Sequence, residues 1–219
     1  AHPHPTRVET PWQAVLDPAC RWESRQEGPV TVHWIGAAPV AELLAIWLRD
    51  PHLPDRQQVE ALIEGQPGHF ALIVESPSAV FACVDLVRSY PLFYAMSGER
   101  LLISNSASRV KELQGLCEVN RLGALEFLMA GYVTGGETVY EGLCQLQAGE
   151  LLWQARHEPH VARRRYYRHY LRQHQIRTEP EWLEQLDEVT DRVFQRLIAS
   201  VRGAPIWVAL SGGLDSRLI

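Results

Sequence analysis

Near the end of the chain, Ser211-Gly-Gly-Leu-Asp-Ser216 sets two glycines between hydroxyls and a carboxylate. Glycines let the backbone come close to a ligand and turn successive N–H groups inward, which suits a phosphate. Asp215 adds a carboxylate, the usual protein anchor for a magnesium ion that accompanies nucleotide phosphates. The apolar, partly β-branched run 206–210 predicts a buried strand leading into the turn. From Asp215 onward the chain is expected to open a helix whose positive end faces the same anion. No Gly-Lys-Ser/Thr follows the glycines, so this is not a Walker A loop, nor is it a G-x-G-x-x-G turn. A glycine turn between strand and helix with no ligand is the plain alternative.

The elements that would position this turn begin upstream. Thr178-Glu-Pro-Glu181 reads as a capping box with proline in the first turn. The helix it opens runs to about 201, with Leu183, Leu186, Val189, Val193, Leu197 and Ile198 on one stripe. Helix, strand and phosphate turn in that order would begin a doubly wound α/β sheet, so a second domain is expected to start at 178, with only its first pieces expected in this chain.

Before it, residues 155–177 carry seven arginines, four histidines and one acid, with Tyr166, Tyr167 and Tyr170 interleaved. Such a mix can make a single-strand nucleic-acid surface. With a net charge of −5 over 219 residues, a solvated connector over 156–177 is the favoured reading, and nucleic acid is not the expected partner. Segments 70–74, 80–84, 92–96 and 101–104 read as short strands joined by tight turns. Their nearly unbroken apolar character predicts an antiparallel sheet covered on both faces. Segment 30–35 has strand composition, 146–153 a turn at Ala148-Gly149 and a strand, and 40–48, 54–64 and 106–113 read as helices. A further helix after Asn120 places Leu122, Leu125, Leu128 and Met129 at core spacing. Residues 1–29, punctuated by prolines, are expected to be irregular, and His2 and His4 lack the further ligands of a metal site.

Composition is that of an ordinary soluble globular chain, 46% apolar and 21% charged. The four cysteines form no C-x-x-C pair. With no secretory signal, they are expected to be reduced thiols in a cytoplasmic protein. No apolar run approaches the roughly 18 residues a membrane span needs, so no membrane role is expected.

The sequence Ser-Gly-Gly-Leu-Asp-Ser after an apolar run resembles the PP-loop of the ATP pyrophosphatases, which split ATP into AMP and pyrophosphate to adenylate a carboxylate or carbonyl. Further motifs extend the likeness: Gly68-His-Phe-Ala-Leu-Ile-Val, Val84-Asp85, Pro91-Leu-Phe-Tyr94, Leu101-Leu-Ile-Ser104, Thr138-Val-Tyr-Glu-Gly142 and Leu146-Gln-Ala-Gly-Glu150. In this order, ahead of the terminal motif, they resemble the asparagine synthetase family from about residue 30 to the end. That family joins a class II glutamine amidotransferase domain to a PP-loop synthetase domain. The resemblance implies an α+β N-terminal-nucleophile-type sandwich over 30–155, two antiparallel sheets between helix layers, followed by the start of an α/β PP-loop domain over 178–219. It implies that Leu210, Ser211, Gly212, Gly213, Asp215 and Ser216 hold ATP and Mg²⁺, with Asp215 on the metal. The substrate would be a small-molecule or peptide carboxylate, the nitrogen donor glutamine or ammonia, and a homodimer is compatible with this. Asp85 aligns with the family's glutamine-binding aspartate; a turn aspartate between strands is the equal alternative.

The sequence departs from the family in four places. Residue 1 is alanine where the glutaminase needs a cysteine with a free α-amine, and the Asn-Gly-Glu-Ile-Tyr-Asn motif is missing. Position 88, glycine in the family pattern, is Arg88, and the arginine before the aspartate is Val84. Cys20 does not fit as a processed nucleophile, because Arg21-Trp22 follow it. These departures imply either a missing true N-terminus or a degenerate glutaminase, and the fragment by itself is expected to be inactive. The expected parent is an ATP-dependent amide-forming ligase. The alternatives are a ring-closing amide synthetase of the β-lactam or lasso-peptide type, and a domain used only for binding or assembly; an RNA-modifying PP-loop enzyme is a weaker third.

Overall fold

Glu23–Glu27 (β2), Val30–Gly36 (β3), Phe70–Glu75 (β4), Ala79–Val84 (β5), Glu150–Ala155 (β9) and Ala162–Arg165 (β10) form a six-stranded sheet in the order β10-β9-β5-β4-β3-β2, antiparallel throughout. Trp12–Ala14 (β1), Phe93–Ser97 (β6), Arg100–Ser104 (β7) and Leu143–Gln145 (β8) form a second sheet ordered β1-β7-β6-β8, in which β1 runs parallel to β7. The computed structural model describes residues 10–50, 54–156, 158, 160–170, 176–201 and 203–218. The chain divides into two units, 1–169 and 170–219, and both sheets lie in the first.

The two-residue period of the strands explains their apolar sequences. On β4, Phe70, Leu72 and Val74 pack with Leu43, Leu44 and Trp47 of the helix Val40–Arg49 (α1) and with Val59 and Ile63 of Arg56–Glu64 (α2). The alternate residues, Ala71 and Ile73, pack with Tyr94, Leu101 and Ile103 of the second sheet. All six residues of β5 are buried because both of its faces are covered. On the far side of the second sheet, Ala95, Leu102 and Leu143 pack on Val110 of the helix Ala107–Gln114 (α3). The first unit is therefore layered helix, sheet, sheet, helix, consistent with the sandwich that the resemblance implies. Trp47, Phe81 and Trp153 lock the outer face of the larger sheet, with ring centroids 5.5 to 6.0 Å apart. Such offset aromatic contacts add about 0.5–1.5 kcal/mol per pair beyond the area they bury.

Several expectations need correction. The four strands read as one sheet are shared between two, because the loop 85–92 carries the chain from β5 across to β6. Segment 11–29 is not irregular. β1 is only three residues long, and β2 is a polar edge strand with four of five residues exposed, so neither shows an apolar pattern. Residues 162–165 are likewise not a free connector: β10 pairs with β9 as the opposite edge strand. Arg164 binds Glu60 at 2.8 Å and Glu64 at 2.6 Å, both on α2. The proline-rich start with His2 and His4 lies outside the described residues.

The helix after Asn120 exists (Arg121–Ala130, α4), but Leu122, Leu125, Leu128 and Met129 are 53–82% exposed. Its inward face is set by Gly123, where a Cβ would stand 2.5 Å from the Thr138 carbonyl oxygen. Close backbone contact chose the buried side of this helix, and apolar spacing did not.

In the second unit, the helix Glu179–Ser200 (α5) starts as expected, with the Glu181 carboxylate accepting the Thr178 N–H at 2.7 Å. Its apolar stripe is exposed, and none of its residues is buried. The expected strand over 206–210 is absent: these residues carry no regular secondary structure and pair with no strand, with Trp207 92% exposed. A buried strand needs neighbours for its N–H and C=O groups, and the described part of this unit supplies no second strand.

Candidate functional site

Each candidate aspartate follows an apolar run. Asp85 follows β5 and is 1% exposed. Its carboxylate accepts the N–H of Phe70 at 3.1 Å, Val87 at 2.9 Å and Ser89 at 3.1 Å. Its backbone bonds Phe70 in return, and its carbonyl accepts Arg88 N–H at 3.1 Å and Gly149 N–H at 2.8 Å. Gly149 has φ +63°, and a Cβ there would meet the Tyr167 carbonyl oxygen at 2.7 Å, so glycine is required. The Gly149 carbonyl accepts Tyr166 and Tyr167 N–H, while the Tyr166 hydroxyl donates to Val84 O at 2.7 Å. Asp85 is thus the knot of a backbone junction. Burial, then the nearby Asp85 charge, push the Cys83 thiol well above its ordinary pKa.

The same junction sets Arg88. It has φ +59°, the only non-glycine at positive φ among the described residues, a conformation that costs an L-residue roughly 1–2 kcal/mol. Its side chain lines a cavity of about 490 Å³ on the outer side of the smaller sheet, bounded by Phe93 of β6, Leu143 of β8, Lys111 of α3, Phe127 of α4, and Tyr132 and Tyr140 of the following loop. A second, polar cleft of about 610 Å³ is lined by Glu137, Gln147, Glu150, Arg163, Arg165 and Arg168. Arg165 donates to Gln147 at 2.9 Å, and the Glu150 carboxylate accepts the Gln147 N–H at 2.7 Å. Asp85 lines neither. Sequence reasoning gave Arg88 only as a departure from a glycine position; a large cation there was the available signal.

The 211–216 turn is built differently. Ser216 Oγ accepts the Ser211 N–H at 3.0 Å and lies 3.0 Å from Ser211 Oγ, which in turn accepts the Gly213 N–H at 3.2 Å. Two serine hydroxyls therefore close a loop of exposed residues 211–214, and one helical turn follows at Asp215–Leu218 (α6). Nothing lies within 4 Å of a Cβ built on Gly212, which leaves that side open to a ligand. Leu210 is 78% exposed beside it. The Asp215 side chain lies outside the described residues, and among those described no cluster of three metal-ligating groups occurs. A magnesium ion held chiefly by substrate phosphates and one carboxylate needs no such cluster. The turn and Asp85 belong to different units. No described helix is long and apolar enough to cross a membrane.

No protein-family model and no curated protein matches the chain. Two solved structures are similar in part. Glutamine phosphoribosylpyrophosphate amidotransferase from B. subtilis, complexed with ADP and GMP, aligns with 65% of this chain and 30% of its own at 12% identity and a TM-score of 0.37. A structure described as the allosteric regulatory enzyme of purine biosynthesis aligns over the same shares at 11% identity and a TM-score of 0.37. The chain spans about 30% of the length of either.

Proposed function

We propose that this chain belongs to an asparagine-synthetase-like, ATP-dependent amide-forming ligase, and that it carries the phosphate turn of that enzyme beside an amidotransferase-like sandwich. The observation that carries the reading is the Ser211–Ser216 turn: the motif's two serines close the loop while Gly212 stays open on one side. Ser211, Gly212, Gly213 and Ser216 would hold the nucleotide phosphates, with Leu210 against the nucleoside and Asp215 on Mg²⁺. When bound, Mg²⁺ would neutralise charge developing on the pyrophosphate leaving group. Backbone donors oriented in advance lower the same barrier without reorganising. A serine hydroxyl that now accepts Gly213 N–H would give that donor up to a phosphate oxygen. The carboxylate so activated is that of a small molecule or peptide.

The state of Asp85 favours a nitrogen source other than glutamine hydrolysed in this sandwich. Its carboxylate already serves three backbone donors, which makes it a poor receptor for a substrate ammonium. Free ammonia, or an amine already on the substrate as in ring closure, fits better. ATP–pyrophosphate exchange by the ligase tests the reading. Asp215→Ala is expected to lower exchange on the order of 100-fold, the scale of losing one electrostatic partner of a leaving group. Exchange at the unsubstituted rate would remove the assignment.

A further inference from the structure

Arg88 is held in a disfavoured backbone conformation by its neighbours. Its N–H closes a turn on the Asp85 carbonyl, and the Asp85 carboxylate takes the N–H groups of Val87 and Ser89 on either side. The side chain this aims is poorly provided for. Arg88 Nε is buried without a hydrogen-bond partner, and the guanidinium carbon sits 5.6 Å from the centroid of Phe93. Burial lowers the pKa of the guanidinium. No ion pair to Arg88 or Lys111 occurs among the described residues. Lys111, the chain's single lysine, stands 4.2 Å from the centroid of Tyr140 on the same cavity wall. Glu137 is the one acidic residue lining that cavity. Two cations against one carboxylate, among aromatic rings, leave a site short of negative charge and rich in apolar surface.

We propose that this cavity binds a small carboxylate with an aromatic or branched apolar body, the carboxylate against Arg88 and the body among Phe93, Phe127 and Tyr132. A bound carboxylate supplies the hydrogen bond that the buried Nε lacks and a counter-charge for the half-buried guanidinium, and a bidentate pair has the right shape for it. Lys111 adds positive potential, and a volume of about 490 Å³ lies within the range of small-molecule sites. The carboxylate has two sources, a free small molecule or the C-terminus of a peptide. The site is independent of the nucleotide reading of the Ser211–Ser216 turn, and its failure would leave that reading intact.

The test is calorimetric titration of the whole chain with 3-(indol-3-yl)propionate and with its uncharged primary amide. The acid is expected to bind with a Kd below about 1 mM, and the amide at least tenfold more weakly, roughly the loss of one charge-assisted contact. Because Lys111 is the chain's only lysine, its modification by an amine-reactive reagent can be followed by peptide mass spectrometry, and the acid should slow it. Arg88→Gly should weaken the acid about tenfold or more while the melting temperature holds or rises, since glycine accepts this φ. Arg88→Gln, which keeps the side chain's length, should weaken it similarly. Equal affinity of acid and amide, no binding of the acid, or undiminished binding by a folded Arg88→Gly protein would overturn the proposal. If a tripeptide ending in tryptophan with a free carboxylate binds more tightly than the indole acid, the site reads a chain end. The reverse order marks a free small carboxylate, and both orders require the site.

Discussion

Asp85 directly follows the apolar run 79–84, and Asp215 follows the apolar run 206–210 after four intervening residues, 211–214. In the first case the run is a central strand with partners on both sides, and the aspartate itself is buried. Its carboxylate is consumed by three backbone N–H groups, and its carbonyl ties in Gly149. In the second the run has no strand partner, residues 211–214 are exposed, and serine hydroxyls accept the backbone N–H groups as the carboxylate does at Asp85. A carboxylate already surrounded by donors has little capacity left for a further one, whereas a loop closed by hydroxyls holds its backbone donors through weaker, neutral acceptors. Local sequence is alike in the two places, and what separates them is the neighbourhood that the rest of the chain builds.

Breaking the first turn should have the largest effect. Asp85→Ala leaves one buried and two part-buried N–H groups without their acceptor, and a loss of about 2–3 kcal/mol in urea unfolding is expected, at about 1–3 kcal/mol for the buried orphan and less where water reaches the other two. Asp215→Ala should stay within about 0.5 kcal/mol of the parent, because the adjoining turn 211–214 is exposed and is closed by serine hydroxyls. The glycines sharpen the contrast. Gly149→Ala meets both a positive φ and the Tyr167 backbone, so a loss of about 2 kcal/mol is expected. Gly212→Ala meets open space, and the melting temperature should hold while Mg·ATP affinity falls.

The smallest effect is alkaline. The Cys83 thiol is raised by burial and then by Asp85, and the Tyr94 and Tyr166 hydroxyls are raised chiefly by burial. A folded-state pKa above the unfolded one leaves stability intact below the unfolded value and removes it as pH climbs toward the folded one. The melting temperature should therefore be flat through neutral pH and begin to fall above the ordinary thiol value of 9.0. Cys83→Ala should flatten the first part of that fall, and an unchanged pH profile for that variant would remove the thiol as its cause.

Much of the first unit was legible in sequence because its strands are nearly all apolar and its turns carry glycine or serine. The strands β4, β5, β6 and β7 and the helices α1, α2 and α3 lie within one or two residues of their expected limits. What was illegible depends on distant contacts. Short β1 and polar β2 owe their existence to β7 and β3. The arginines of β10 look like solvated charge until Glu60 and Glu64 come opposite Arg164. Leu122, Leu125, Leu128 and Met129 had the right spacing on the wrong side, because Gly123 determines which face approaches Thr138. At the candidate site the 211–216 turn could be read from six adjacent residues. The Arg88 cavity could not, since its lining comes from six separate segments of chain.

The central claim is that the 211–216 turn, and not the Asp85 junction, meets the nucleotide. Titrating the isotopically labelled chain with Mg·ATP and following its backbone amide resonances tests this most directly. The account predicts shifts concentrated at Ser211, Gly212, Gly213 and Ser216, with Phe70, Val87 and Ser89 unmoved. Shifts at the Asp85 junction with a silent 211–216 turn would contradict it.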